Sequence, residues 1–123
     1  MAKPADKKEK TLMTANDVRD IINSVLVENG EMPISDFSFG EFKDYPDKRG
    51  VFQIKSQWFV YRTDEKNVKS ISGPFCDSDI IFACAMMLHK SKYFEKYRFG
   101  SEAKEIYVST HYRSVNDVEE LTL

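Results

Sequence analysis

Ile80-Ile81-Phe82-Ala83-Cys84-Ala85-Met86-Met87-Leu88 is an uninterrupted apolar run with no polar side to turn toward water. A helix that is apolar all round must be covered on more than one side, so this run marks the centre of the fold. Ile80, Ile81 and Phe82 favour strand, but Ala83, Ala85, Met86, Met87 and Leu88 are good helix formers, and the segment is too long for an ordinary strand. A long, largely buried central helix over 77–97 is therefore expected. Asp77 or Ser78 accepts the orphan amide hydrogens of its first turn. Asp77 and Asp79 suit the positive end of its dipole, with His89, Lys90 and Lys92 toward the other end. Past Leu88 the pattern narrows to Tyr93, Phe94 and Tyr97, a one-sided stripe that Gly100 ends.

Upstream, Thr14 and Asp17 form a capping box ahead of Val18, Ile21, Ile22, Val25 and Leu26. Their spacing lays one apolar stripe along a helix over about 15–29, stopped by Gly30. The opposite side carries Arg19, Asp20, Asn23 and Glu28, so the stripe is read as core. From Ser35 the pattern becomes short strands: Phe37, Phe39 and Phe42 around Gly40, then a turn at 45–50 in which Gly50 takes a positive φ. Residues 51–63 are expected to form a hairpin with Ser56-Gln57 at its tip. That register sets Ile54 beside Phe59 and Phe52 beside Tyr61 on a core face, and leaves Trp58, Val60 and Arg62 on a thinly covered one. A turn at 64–67, a strand over 68–72 ended by Gly73-Pro74, a last strand at Ile106-Tyr107-Val108 and a short helix carrying Val115, Val118 and Leu121 complete the chain. The expected fold is α+β, an antiparallel sheet of about four to five strands packed against the N-terminal and central helices. Phe52, Ile54, Phe59, Tyr61, Ile81, Phe82, Cys84, Ala85 and Leu88 are expected to share one core with Val18, Ile22, Val25 and Leu26.

A length of 123 residues with 41% apolar content suffices for one core and would starve two. Residues 1–12 hold four of the lysines and no aromatic residue and read as a disordered basic tail, with 13–123 as a single domain. Without the tail, 14 basic residues face 18 acidic ones, a net of −4. An acidic body argues against nucleic-acid binding and leaves basic protein partners open. No apolar stretch follows the N-terminal lysines as a secretory signal requires, and no run approaches the roughly 20 residues of a membrane span. A cytoplasmic protein without membrane contact is expected.

Catalytic or metal-binding constellations are not legible. Cys76 and Cys84 lack the partners of a zinc site or a disulfide framework, and Cys84 lies inside the apolar run. His89 and His111 stand at no metal-ligand spacing from Asp, Glu or Cys. The five glycines stand apart, so no phosphate loop is present. No metal, no cofactor and no catalytic residue are expected.

The segments Trp58-Phe59-Val60-Tyr61-Arg62-Thr63-Asp64-Glu65 and Phe75-Cys76-Asp77-Ser78-Asp79 together resemble a pattern of small bacterial immunity proteins from polymorphic and contact-dependent toxin systems. The likeness covers about residues 50–88 and departs from the pattern at Lys66-Asn67. It implies a non-enzymatic protein that neutralises one cognate toxin. An adaptor or secretion chaperone presenting its sheet is the alternative, which a homodimer through Trp58 and Val60 would favour. A small enzyme using His111, Tyr112 and Arg113 near Tyr107 is a third reading. For the partner surface, carboxylates Asp44, Asp47, Asp64 and Glu65 fall in turns that can gather at one end of a sheet, extended by Asp77 and Asp79. Trp58 and Arg62, residue types that dominate interfaces, supply the expected anchors.

Overall fold

The computed structural model describes residues 13–109, 111–114 and 116–118. The expected basic tail at 1–12, and Val115 and Leu121, lie outside them. Helix α1, Ala15–Glu28, opens on the expected capping box: Thr14 Oγ1 accepts from the Asp17 amide and the Asp17 carboxylate accepts from the Thr14 amide. Val18, Ile22, Val25 and Leu26 are buried along one stripe. Five strands follow: β1 Ser38–Phe39, β2 Arg49–Ile54, β3 Gln57–Thr63, β4 Lys69–Phe75 and β5 His111–Tyr112. They lie side by side in that order. Helices α2, Asp77–Met87, and α3, Ser101–Ser109, intervene between β4 and β5. The class is α+β. The sheet is mixed rather than antiparallel, because β1 runs parallel to β2. No helix among the described residues is long and apolar enough to cross a membrane.

The β2–β3 hairpin turns at Lys55-Ser56, both at positive φ (53° and 70°), one residue earlier than expected. A two-residue turn of this kind matches the twist of paired strands. It sets Phe52 opposite Phe59 and Val51 opposite Val60. Moving the tip by one residue shifts each partner by two, so the division into faces is as expected. Their roles are not. The helices cover Val51, Trp58, Val60 and Phe75, while Phe52, Phe59, Tyr61 and Ile71 form a second cluster on the far face with Phe42 and Val118. The expected single core is thus two, separated by the sheet. Trp58 stands on the face that meets α1 and α2: its ring is wholly enclosed, and its indole N–H needs an acceptor, found at the start of α2.

Glycine explains two further departures. Gly50 lies within β2, and the positive φ of the preceding turn is at Asp47 (60°). A Cβ on Gly50 would stand 2.5 Å from the Ser38 carbonyl oxygen and 2.8 Å from the Tyr61 ring, so the residue is small to let β1 approach. Strand β4 does not end at Gly73-Pro74 but continues to Phe75. Between the pairs Trp58–Phe75 and Val60–Ser72, β4 has two residues where β3 has one. This bulge accommodates a proline that has no amide hydrogen to pair.

Helix α2 buries Ile80 through Ala85 as its all-round apolarity requires, but it stops at Met87 rather than reaching 97. His89 adopts φ 61°, and the amides of His89 and Lys90 bond back to the carbonyls of Met86 and Ala85. This is the Schellman arrangement that ends helices. Two 3-10 turns follow, Ser91–Tyr93 and Glu95–Tyr97. Glu31, beyond α1, accepts from Lys90 Nζ at 2.7 Å and from the Tyr93 hydroxyl at 2.8 Å. Those bonds, Lys90 first, hold the Glu31 carboxyl below its ordinary value. A depressed carboxyl stabilises the fold above pH 4.5, its unperturbed value, and loses that contribution as pH falls through the folded-state value. Glu31→Gln is accordingly expected to lower Tm at pH 7, with the difference from the parent vanishing as both are melted at progressively lower pH. A constant difference would refute this role.

The strand expected at 106–108 is part of α3. Ala103, Ile106 and Tyr107 recur at helical spacing and turn inward, Tyr107 meeting the Phe75 ring at 6.2 Å, while Val108 is exposed. Residues 116–118 are helical, with the Asp117 amide bonded to Ser114 Oγ and Val118 buried, as expected for the terminal helix.

Candidate protein-binding end of the sheet

At the β3–β4 end of the sheet the 44–48 segment and the 64–67 turn are tied together by backbone and side chain. Buried Thr63 is the fastener: its hydroxyl donates to the Tyr45 carbonyl at 2.5 Å and accepts from the Lys48 amide at 2.8 Å. The Thr63 amide donates to the Lys48 carbonyl, and the Asp47 amide to that of Asp64. Asp64 closes its own turn, accepting from the amides of Val68 and Lys66 at 2.8 and 2.9 Å. These backbone bonds, Val68 first, hold its carboxyl below the ordinary value. Asp44 bridges the two segments through Lys69 Nζ at 2.9 Å and Asn67 Nδ2 at 2.8 Å, and is lowered chiefly by Lys69. Both acids are therefore charged at neutral pH.

The expected gathering of Asp44, Asp47, Asp64 and Glu65 at one end is thus present. All four are exposed. Among them stand Tyr45, 64% exposed, and Val68, 60% exposed. Sequence reading missed both as surface anchors, although an aromatic residue inside a Pro-Asp turn was the available signal.

Of the other expected partner residues, Trp58, Asp77 and Asp79 lie elsewhere. Trp58 is fully enclosed, its Nε1 donating to Asp77 Oδ1 at 2.6 Å, and Asp77 Oδ2 also accepts from the Met13 amide. Asp79 accepts from the Cys76 thiol at 3.1 Å. Asp77 and Asp79 sit where β4 leads into α2, beside the start of β3 and so at the opposite end from Asp64. They do not extend the acidic rim. Arg62 is exposed at the acidic end, on the helix side of the sheet directly across from Arg49, and lines a cleft with Asp47. Trp58 and Val60 both lie within the core, which removes the dimer contact expected through them.

Of the residues of the enzyme reading, Tyr107 and Tyr112 lie on opposite faces of the sheet. Tyr107 packs with the helix-side cluster, and burial pushes its phenol up, opposed by the charge of Arg62. Tyr112 packs on the far face against Phe59 at 6.3 Å. Cys84 is fully enclosed, and burial pushes its thiol strongly upward, the reverse of what a nucleophile needs. Cys76 is an exposed free thiol beside Ser78 and Asp79. Among the described residues no group of three or more His, Cys, Asp or Glu could hold a metal ion. Compared with family models, curated proteins and solved structures, the chain matched none.

Proposed function

We propose that this protein is a cytoplasmic, non-enzymatic immunity protein that binds and neutralises a cognate bacterial toxin domain. The observation that carries the reading is the braced end of the sheet, where exposed Tyr45 and Val68 stand among Asp44, Asp47, Asp64 and Glu65. A stoichiometric blocker needs such a stable, preorganised surface, and a negative rim suits a toxin with a basic cleft, steering its approach. The likeness of the 58–65 and 75–79 segments to immunity proteins supports the same reading.

The test is co-purification with the products of neighbouring genes, followed by binding kinetics. Asp44 and Asp64 hold their turns together, so the informative charge change is Glu65→Lys, at a side chain that binds nothing else among the described residues. Association is expected to slow several-fold at low salt, with the loss shrinking as ionic strength rises. Tyr45→Ala is expected to act on dissociation, costing about 2 kcal/mol, the scale of an interface anchor. A toxin bound equally well by both variants would place the interface away from this end.

A further inference from the structure

Arg49 on β2 and Arg62 on β3 stand directly opposite one another in the register. Like charges so placed repel, and neither guanidinium has a hydrogen bond or ion pair among the described residues. They wall a cleft of about 490 Å3, shared with Lys43 and Lys48, whose charged ends have no ion pair among the described residues. The cleft's carboxylates are Asp36 and Asp47, so its lining carries +2 within a body of −4. Surface repulsion is normally relieved by a nearby acid; here acids line the same cleft without closing on the arginines.

We infer that this cleft binds a phosphate-bearing small molecule. Its volume is that of a small-ligand site. Two planar guanidinium forks on adjacent strands match the geometry of a compact, multiply charged phosphate group, with the lysines as additional point charges. A nucleic-acid strand is disfavoured, because Asp44, Asp64 and Glu65 occupy the same end of the sheet and would repel a polyanion extending past the cleft. Buried Phe37 and Thr63 also line it, and the Thr63 hydroxyl is already committed to Tyr45 and Lys48.

The experiment titrates the full chain with pyrophosphate at constant ionic strength, followed by backbone amide shifts and by melting temperature. Saturable shifts confined to 35–38, 43, 47–49 and 62–63 are expected, with half-saturation at or below about 1 mM, together with a rise in Tm. The double variant Arg49→Gln/Arg62→Gln is expected to bind pyrophosphate at least tenfold more weakly and to lose the rise. Without ligand it is expected to melt at the parent's temperature or higher, since repulsion has been removed, whereas arginines with a purely structural role would leave it less stable. Lys104→Gln, on α3, is the control and is expected to bind like the parent. No saturation, shifts spread over the surface, binding unchanged in the double variant, or equal binding of citrate or of a poly-glutamate peptide would each overturn the assignment. The toxin reading stands or falls separately, on Glu65 and Tyr45.

Discussion

Trp58→Ala is expected to lower the free energy of unfolding by about 3–5 kcal/mol, the range for emptying a fully buried large aromatic site. Stabilities of single domains are only about 5–15 kcal/mol, so the variant would lose a large share of its margin. The side chain is completely enclosed between the sheet and the helices, and α2 is the element that its indole anchors. Trp58→Phe separates the two contributions. It retains most of the apolar contact but leaves Asp77 Oδ1 without its donor, and a smaller loss of about 1–3 kcal/mol is expected, on the scale of a hydrogen bond to a charged group. Asp77 is half-buried, which places that loss toward the lower figure. Urea unfolding of the three proteins measures both. A Trp58→Ala protein as stable as the parent would mean that the tryptophan is not the joint between β3 and α2. Because its effect is on folding, Trp58 is unsuited to probing an interface.

Gly73→Ala is the second large effect. Gly73 has φ 149°, a conformation that L side chains rarely adopt, and an added Cβ would lie 2.6 Å from the Phe59 ring and 2.7 Å from the Trp58 carbonyl oxygen. Neither neighbour can yield, since Phe59 is fully buried in the far-face cluster and the carbonyl belongs to the central strand. Backbone strain and overpacking each cost about 1–3 kcal/mol. Gly100→Ala supplies the comparison: a Cβ there meets nothing within 4 Å, and little change in the urea midpoint is expected. Equal stability of the two variants would show that the bulge shifts to admit a side chain.

Local signals gave several elements correctly but not all: residues 106–108, expected as strand, belong to a helix whose stripe Ala103, Ile106 and Tyr107 is itself local, and the hairpin tip fell one residue from its expected place. The capping box and stripe of α1, the burial of Ile80–Ala85 and the turn positions of Asp44, Asp47, Asp64 and Glu65 were all readable from spacing and residue type. Period-two alternation also divided the β2–β3 hairpin into its two faces. It could not say which face α1 and α2 would cover, because both are apolar enough to be buried, and the choice rests on contacts between distant residues, among them the bond from Trp58 to Asp77, 19 residues on. The same limit hid that Arg62 would turn to the helix side opposite Arg49 and share a cleft with Asp47. A net charge averaged over the chain hides a basic cleft that exists only when Lys43, Lys48, Arg49 and Arg62 converge from two strands and a loop. Composition and periodicity thus determined an acidic α+β protein with a buried central helix and acidic turns. Tertiary packing decided which face became core, where the long helix stopped and which charges became neighbours, because each depends on contacts between residues far apart in the chain.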